Sequence, residues 1–468
     1  MVNHHLISRR AVHTVMALIA ILLLSSIAHG GGLLFVDDDA PSGGDGINWD
    51  TAYRFLADAL VAAGKGQVGE IRVAQGVYKP DRDEANPDGT GDREATFQLI
   101  NGLALMGGYA GIGAKDPDAR DIELYETILS GDLLGNDGPG FANNDENSYH
   151  VTTGSGTNTT AILDGMAITA GNADGSNPDD RGGGMYIGFG SPTVTNCTFR
   201  ANSANEYGGG MYNRASAVTV ANCTFADNYA LGIITPGAGG AMYNRNSNPT
   251  LINCTFNSNG AGAGSAMSNT QSSDPTLINC TFSGNIPGAV MYSVQLSSPT
   301  LTNCIVWGNG GVGFSGPDLP TVAYSDIEGG YDGLGNIDAD PLFVDPDNGD
   351  LRLLPGSPCI DAANNNAVPK GIDIDLDGNP RFVDDPDTDD TGFGDPPIVD
   401  MGAYEFQVMD CPWDVNADGV VDHRDIVEVV HNLGRCNDPD NCPWDVNGDG
   451  IVNGRDVAAV AMHFGPCP

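Results

Sequence analysis

Positive charge is scarce in this chain. Its 468 residues hold 20 lysines and arginines against 61 aspartates and glutamates, a formal net charge of -41. A polyanion of that strength repels nucleic acid and anionic membrane surfaces and attracts cations. Long apolar runs are scarce too. The one clear run, "VMALIAILLL" at 15–24, is too short to span a bilayer. Arg9 and Arg10 precede it and the small residues "SSIAHG" follow it. That order predicts a signal peptide over residues 1–30, cleaved after Ala28 or Gly30. The mature protein is then expected to be secreted, without a transmembrane segment, in a compartment that tolerates disulfides and is rich in calcium. Catalytic side chains are also thin on the ground. Between residues 151 and 310 there are seven acids, four arginines and no lysine or histidine.

What the chain does have is glycine, at 65 residues, and repetition. "SPTVTNCTFRAN", "AVTVANCTFADN", "NPTLINCTFNSN", "DPTLINCTFSGN" and "SPTLTNCIVWGN" place Cys197, Cys223, Cys254, Cys280 and Cys304 in one register, 26, 31, 26 and 24 residues apart. In step with them run "GGGMY", "GGGMY" and "GGAMY", then Met267 and Met291. About two dozen residues per repeat, rich in β-branched positions and glycine joints, suit one coil of a parallel β-helix. A coil cannot bury its apolar side alone, so coils stack.

Strict alternation would put Val194 and Cys197 on opposite faces of a strand. Both positions look buried, so a tight turn is expected between them. The residue before each Cys is Asn (196, 222, 253, 279, 303), which tolerates left-handed backbone. A second Asn column stands five residues after each Cys (202, 228, 259, 285, 309), where stacked amides can bond from coil to coil. The cysteines are expected to be a stacked apolar column: a line of inward thiols matches neither a tetrahedral metal site nor an assisted nucleophile.

The paired motifs "GGAM" and "FRAN", "FADN", "FNSN", "FSGN" resemble the repeats of polymorphic outer-membrane proteins, surface adhesins of the pectin-lyase-like class. The opening "GDGINWDTAYRFLADAL" and the closing "DIDLDGNPR" and "DMGAYEF" resemble the two ends of secreted bacterial β-helix proteins. The resemblance covers roughly residues 33–406 and implies an all-β, right-handed parallel β-helix over 31–406. That superfamily holds lyases, hydrolases and non-catalytic adhesins, so it does not fix a function. A helix over 50–64, capped by Asp50 or Thr51, is expected to cover the first coil, and an Asp-rich segment (373–400) to cap the last.

Its lyases use carboxylate-held calcium with a proton-abstracting Arg or Lys, and its hydrolases several close aspartates. Asp179-Asp180-Arg181 is the best catalytic candidate on the coils, with a solvated turn as the plainer reading. A column of Tyr186, Tyr212 and Tyr243, each following an inward Met, is expected to point outward beside Arg214 and Arg245. It would be a face able to stack sugar rings and hold carboxylates, or simply an aromatic shield. Asp373, Asp375 and Asp377 alternate like a calcium loop, but Pro380 intervenes, and a surface acid cluster is the expected reading.

The tail repeats with period 31. "CPWDVNADGVVDHRD" (411–425) matches "CPWDVNGDGIVNGRD" (442–456). D-x-N-x-D-G opens a calcium loop: alternate oxygen ligands, a glycine at the bend, then a backbone carbonyl. The expected ligands are Asp414, Asn416, Asp418, the carbonyl of Val420, Asp422 and Asp425. In the second loop they are Asp445, Asn447, Asp449, the carbonyl of Ile451, Asn453 and Asp456. An apolar helix follows each loop. Two such units over 410–468 resemble a dockerin, the module that docks polysaccharide-degrading enzymes onto cohesins. That implies Ca2+ as cofactor and a cohesin-like partner. The pairs His423-Arg424 and Gly454-Arg455 stand where dockerins carry hydroxyl pairs for partner contact. Four cysteines allow three connectivities. Bridges within each unit, Cys411 to Cys436 and Cys442 to Cys467, are expected.

Two functions are carried forward: a secreted protein that binds polysaccharide or cell-surface glycan through its coils, and a polysaccharide lyase or glycoside hydrolase of the same fold. Whether it is an enzyme is left open.

Overall fold

The computed structural model describes residues 31–232, 237–311 and 313–407, and of the tail 413, 415, 420–435, 442, 444–446 and 451–466. The expected signal peptide lies outside the described residues. The chain divides into two compact units between Phe406 and Gln407.

The first unit is a right-handed parallel β-helix. Each coil gives one strand to each of three long parallel sheets, of ten, nine and eight strands. The repeats pair residue on equivalent residue: Thr193 with Thr219, Phe199 with Phe225, Met211 with Met242. Identical side chains therefore stack. Phe199, Phe225, Phe256 and Phe282 lie face to face with centroids 4.9, 5.0 and 4.5 Å apart. All five repeat cysteines are buried free thiols beside them.

The turn before each Cys is as the Asn column requires. Asn196, Asn222, Asn253, Asn279 and Asn303 have φ between 50° and 58°. Their amides bond along the stack, Asn222 to Asn196 at 3.2 Å and Asn253 to Asn222 at 3.0 Å. The second column is buried and tighter: Asn202 to Asn228, Asn228 to Asn259, Asn259 to Asn285 and Asn285 to Asn309 at 2.9–3.0 Å. Two further columns were not anticipated. Asn213, Asn244, Asn269 and Ser293 form a third buried ladder. In a fourth, Ser216, Ser247 and Ser273 each give a backbone N–H to the hydroxyl of the next serine.

Both ends correct the sequence reading. The first helix, α1, spans Leu56–Lys65 rather than 50–64. Asn48, not Asp50 or Thr51, caps a short 3-10 turn at Trp49–Thr51. Tyr53 then pairs in extended form with the first strand, its N–H on the Phe35 carbonyl at 2.9 Å, which delays the helix. α1 buries Leu56, Ala59 and Ala63 in the β-helix core. At the other end, the chain from Asn364 into the Asp-rich segment is more than an end cap. It runs back along the Asn turns. Asn303 and Asn364 exchange bonds, Asn253 donates to the Ile374 carbonyl, and Ile372 packs on Ala221 and Ile252.

The second unit holds α2 (His423–His431) and α3 (Gly454–Ala461) around buried Val421, Val429, Val452 and Val460. Its pairing is reciprocal: Val420–Val421 lies antiparallel to Gly465–Pro466, and Gly434–Arg435 to Ile451–Val452. Among the described residues no helix is long and apolar enough to cross a membrane.

Candidate functional site

The tyrosine column forms, but it is not an open platform. Met185, Met211 and Met242 point inward and the following tyrosines outward. Tyr186 stacks on Tyr212 at 5.4 Å and Tyr212 on Tyr243 at 5.6 Å. Tyr212 is nevertheless fully buried. Arg181, His150 and Tyr207 arch over the stack: Arg181 lies 5.3 Å from the Tyr212 ring, His150 caps Tyr186, and Tyr207 stacks on Tyr243 at 4.4 Å. Alternation correctly pointed the side chain away from the core. It could not show that a loop would cover it.

Arg181 is itself buried. It grips Asp180 through two bonds, at 2.6 and 3.1 Å, and reaches Glu206 at 3.5 Å. Burial alone would lower its guanidinium, but the bonds to Asp180 and Tyr212 outweigh it and hold the group above the ordinary arginine value. Bonded twice to the Asp180 carboxylate, the guanidinium is a clamp over the tyrosine stack. Burial holds the His150 imidazole below its ordinary value, against the Gly182 carbonyl, to which Nδ1–H donates at 3.0 Å, and against Asp179. His150 lies one residue before the acid-poor stretch, so a count of that stretch missed it.

What remains exposed on this face sits at its edge. Arg214 lies 5.1 Å from the ring of Phe189, which is 66% exposed, while Arg245 bonds Gln271 at 3.0 Å. Tyr186 and Tyr243 are partly accessible. Phe189 follows "MYIG" in only one coil, so the repeat pattern gave no sign of it.

A groove opens on another side, where the returning segment meets the coils. Its cavity of about 280 Å³ is lined by Glu123, Glu126, Asn196, Asn222, Asp377 and Tyr404 among others. Burial first, then Asp375, push the Asp377 carboxyl up to about 6, and Glu123 adds to the rise. Asp375 is used structurally, accepting the N–H groups of Asn379 and Glu405. Among the described residues the carboxylate oxygens of Asp373, Asp375 and Asp377 do not come together, so the three do not form a calcium loop.

In the tail each helix opens with a capping box. Asp422 accepts the Arg424 N–H at 2.6 Å while Asp425 accepts the Asp422 N–H at 2.8 Å. Asn453 and Asp456 repeat the arrangement at 2.9 and 2.7 Å. Asp425 and Asp456 are fully buried. Buried carboxylates at position twelve fit a hard cation, and the described donors at these loops are all oxygens: Asp422, Asp425, Asp445, Asn453, Asp456 and the Ile451 carbonyl. Asp414, Asn416, Asp418, Asn447 and Asp449 lie outside the described residues, as do Cys411, Cys436 and Cys467. Val420 is described only by its strand backbone. Cys442 is disulfide-bonded. His423, Arg424, Gly454 and Arg455 are exposed.

The family model of the right-handed beta helix region matches residues 141–267 and again 169–316. That of the dockerin type I domain matches residues 412–465. The chain joins a right-handed β-helix to a dockerin domain. Dockerin type I domains bind calcium in general. No curated protein matches the sequence. Among solved structures, that of pectate lyase Pel9A is similar, with a TM-score of 0.34 and 13% identity over 80% of this chain and 96% of that one.

Proposed function

We propose that this is an exported protein whose dockerin domain, folded around calcium, attaches it to a cohesin-like partner, and whose β-helix binds polysaccharide. The observation that carries binding over catalysis is the state of the charged groups on the tyrosine face. Arg181 and His150 are buried and engaged, so neither is presented to a ligand at the surface, while Phe189 and Arg214 are presented at the edge. An exposed ring beside a guanidinium suits an acidic sugar: the ring stacks on the pyranose and the fork takes its carboxylate. Tyr186, Tyr243 and Arg245 extend that surface along the coils.

The test is retention of the mature protein on a panel of polyuronates and neutral glycans, with calcium present, while unsaturated products and reducing ends are followed. Retention on a polyuronate without turnover, lost in Phe189→Ala/Arg214→Ala, is expected. Unchanged retention by that folded variant would remove the edge as the binding site.

A second reading has its own support in the groove. Asp377, protonated more readily than an ordinary aspartate and influenced by Glu123, resembles the acid half of a carboxyl pair. Release of reducing ends that disappears in Asp377→Asn would establish glycoside hydrolysis there instead.

A further inference from the structure

Outside the tail, three groups of acids among the described residues bring carboxylate oxygens within 4.8 Å of one another: Asp37 with Asp38 and Asp39, Asp132 with Asp137 and Glu146, and Asp361 with Asp384 and Asp390. The first is largely used by the backbone. The Asp37 oxygens take the N–H groups of Asp39 and Ile112, and Asp38 takes that of Val77. The second has a cation at hand, since Lys79 acts on both Asp132 and Asp137.

The third is different. Asp361 is fully buried, at 0% exposure, and one of its carboxylate oxygens, Oδ1, has no hydrogen-bond partner. Its other oxygen accepts the Asp385 N–H at 3.2 Å, at the start of the acidic loop. Its carbonyl accepts the N–H groups of Thr391 and Gly392, at the end of the same loop, both at 3.0 Å. Asp361 thus stands at the mouth of a loop carrying Asp384, Asp385, Asp387, Asp389 and Asp390. The neighbouring charges that act on it most are Asp390, Asp384 and Asp385, all acids. A buried, half-satisfied carboxylate facing two more is costly unless a cation joins them.

We propose that Asp361, Asp384 and Asp390 hold a divalent cation, calcium by the hardness of the donors, which ties the 384–390 loop to the segment lying along the coils. Oxygens bound to one calcium at about 2.3–2.6 Å stand up to about 5 Å apart, so the observed spacing needs no rearrangement of the backbone. The remaining coordination positions fall to water and to oxygens of the acidic loop. This site is separate from the dockerin loops and independent of any reading of the glycan surface.

Calcium itself is the probe. Equilibrium dialysis of the full mature chain, first stripped with chelator, gives the number of calcium ions bound per chain. Asp384→Asn/Asp390→Asn alters only exposed side chains and leaves the tail loops untouched. It is expected to bind one calcium fewer than the unaltered chain, with the same melting profile in chelator. Equal stoichiometry would overturn the site. As a second measurement, calcium should slow proteolysis of the 384–390 loop at least tenfold in the unaltered chain and leave Asp390→Asn unprotected. Equal protection in both would also overturn it.

Discussion

The coils and the dockerin domain reach order by opposite routes. From Val151 to Asn309 each coil lies on a copy of itself, and Phe, Cys, Met and Asn columns continue through neighbouring coils. The apolar core there is part of a single long cluster of more than forty buried residues that runs from Val36 to Ile327. Among the described residues of the tail the buried apolar cluster is four valines, with partly buried Trp413, Trp444 and others around them. Domains of this size commonly need a further tie besides their apolar core. The coils carry their own stabilisation, while the tail, on the function proposed above, depends on buried Asp425 and Asp456 finding calcium. One region is a repetitive solid, and the other is proposed to be closed by metal.

Stripping calcium is the strongest way to break this contrast. Chelation is expected to abolish the helical order of the tail, seen as a red shift of Trp413 and Trp444 fluorescence, and to leave the main β-helix melt in place. Unchanged tryptophan emission would mean that the valines suffice. The next effect lies within the coils. Asn228→Ala removes four buried hydrogen bonds, to Asn202, Asn259 and the Phe199 carbonyl. It should cost about 3 kcal/mol in urea unfolding, against about 1 kcal/mol for the amide bonds lost in Asn222→Ala, a half-buried position of the first ladder. Similar losses at both positions would show that burial of the ladder is not what counts.

The two regions should also answer pH with opposite signs. Burial raises the Asp326 carboxyl to about 6, above its ordinary 3.8, with Asp338 and Asp340 adding to the rise and Cys359 and the Ala339 N–H opposing it. A raised folded-state value means that its contribution is complete below about pH 4 and is lost as pH climbs through 6. Asp326→Asn should therefore gain stability relative to the unaltered chain between pH 5 and 8. A difference that stays constant with pH would refute the assignment. The tail behaves the other way, since its carboxylates must be ionised to take calcium. The smallest effect is in the thiol column. Cys223→Ala should cost about 1 kcal/mol, and the buried repeat cysteines should react with a thiol reagent only after unfolding. Rapid labelling of the folded chain would mean that the coils open locally.

The coils were legible because stacking copies a chemical requirement into every repeat. Asn before Cys marked the left-handed turn, and Asn five residues later marked the buried ladder. The Asn213 ladder was equally present in "MYNR" and "MSNT", but it sat beside the more conspicuous Tyr and Arg and was passed over. Cover was not legible. Tyr212 is covered by Arg181, and Asn253 is met by Ile374, which lies 121 residues further on. Such contacts follow from where a non-repeating segment comes to rest, and no local period encodes that. The cation site at Asp361 was hidden for the same reason, because its ligands are brought together by a loop closing on a distant residue.

The amide columns have a consequence for how such a chain can change. From Phe199 to Phe282 each coil offers the same Asn, Phe and Met to its neighbours, so these coils are interchangeable parts. Removing the 31 residues from Asn222 to Ile252 would bring Asn253 next to Asn196 with every column unbroken. Unequal recombination between repeats could therefore shorten or lengthen the molecule by whole coils without unfolding it. The extent of its surface is a quantity that inheritance can adjust in steps.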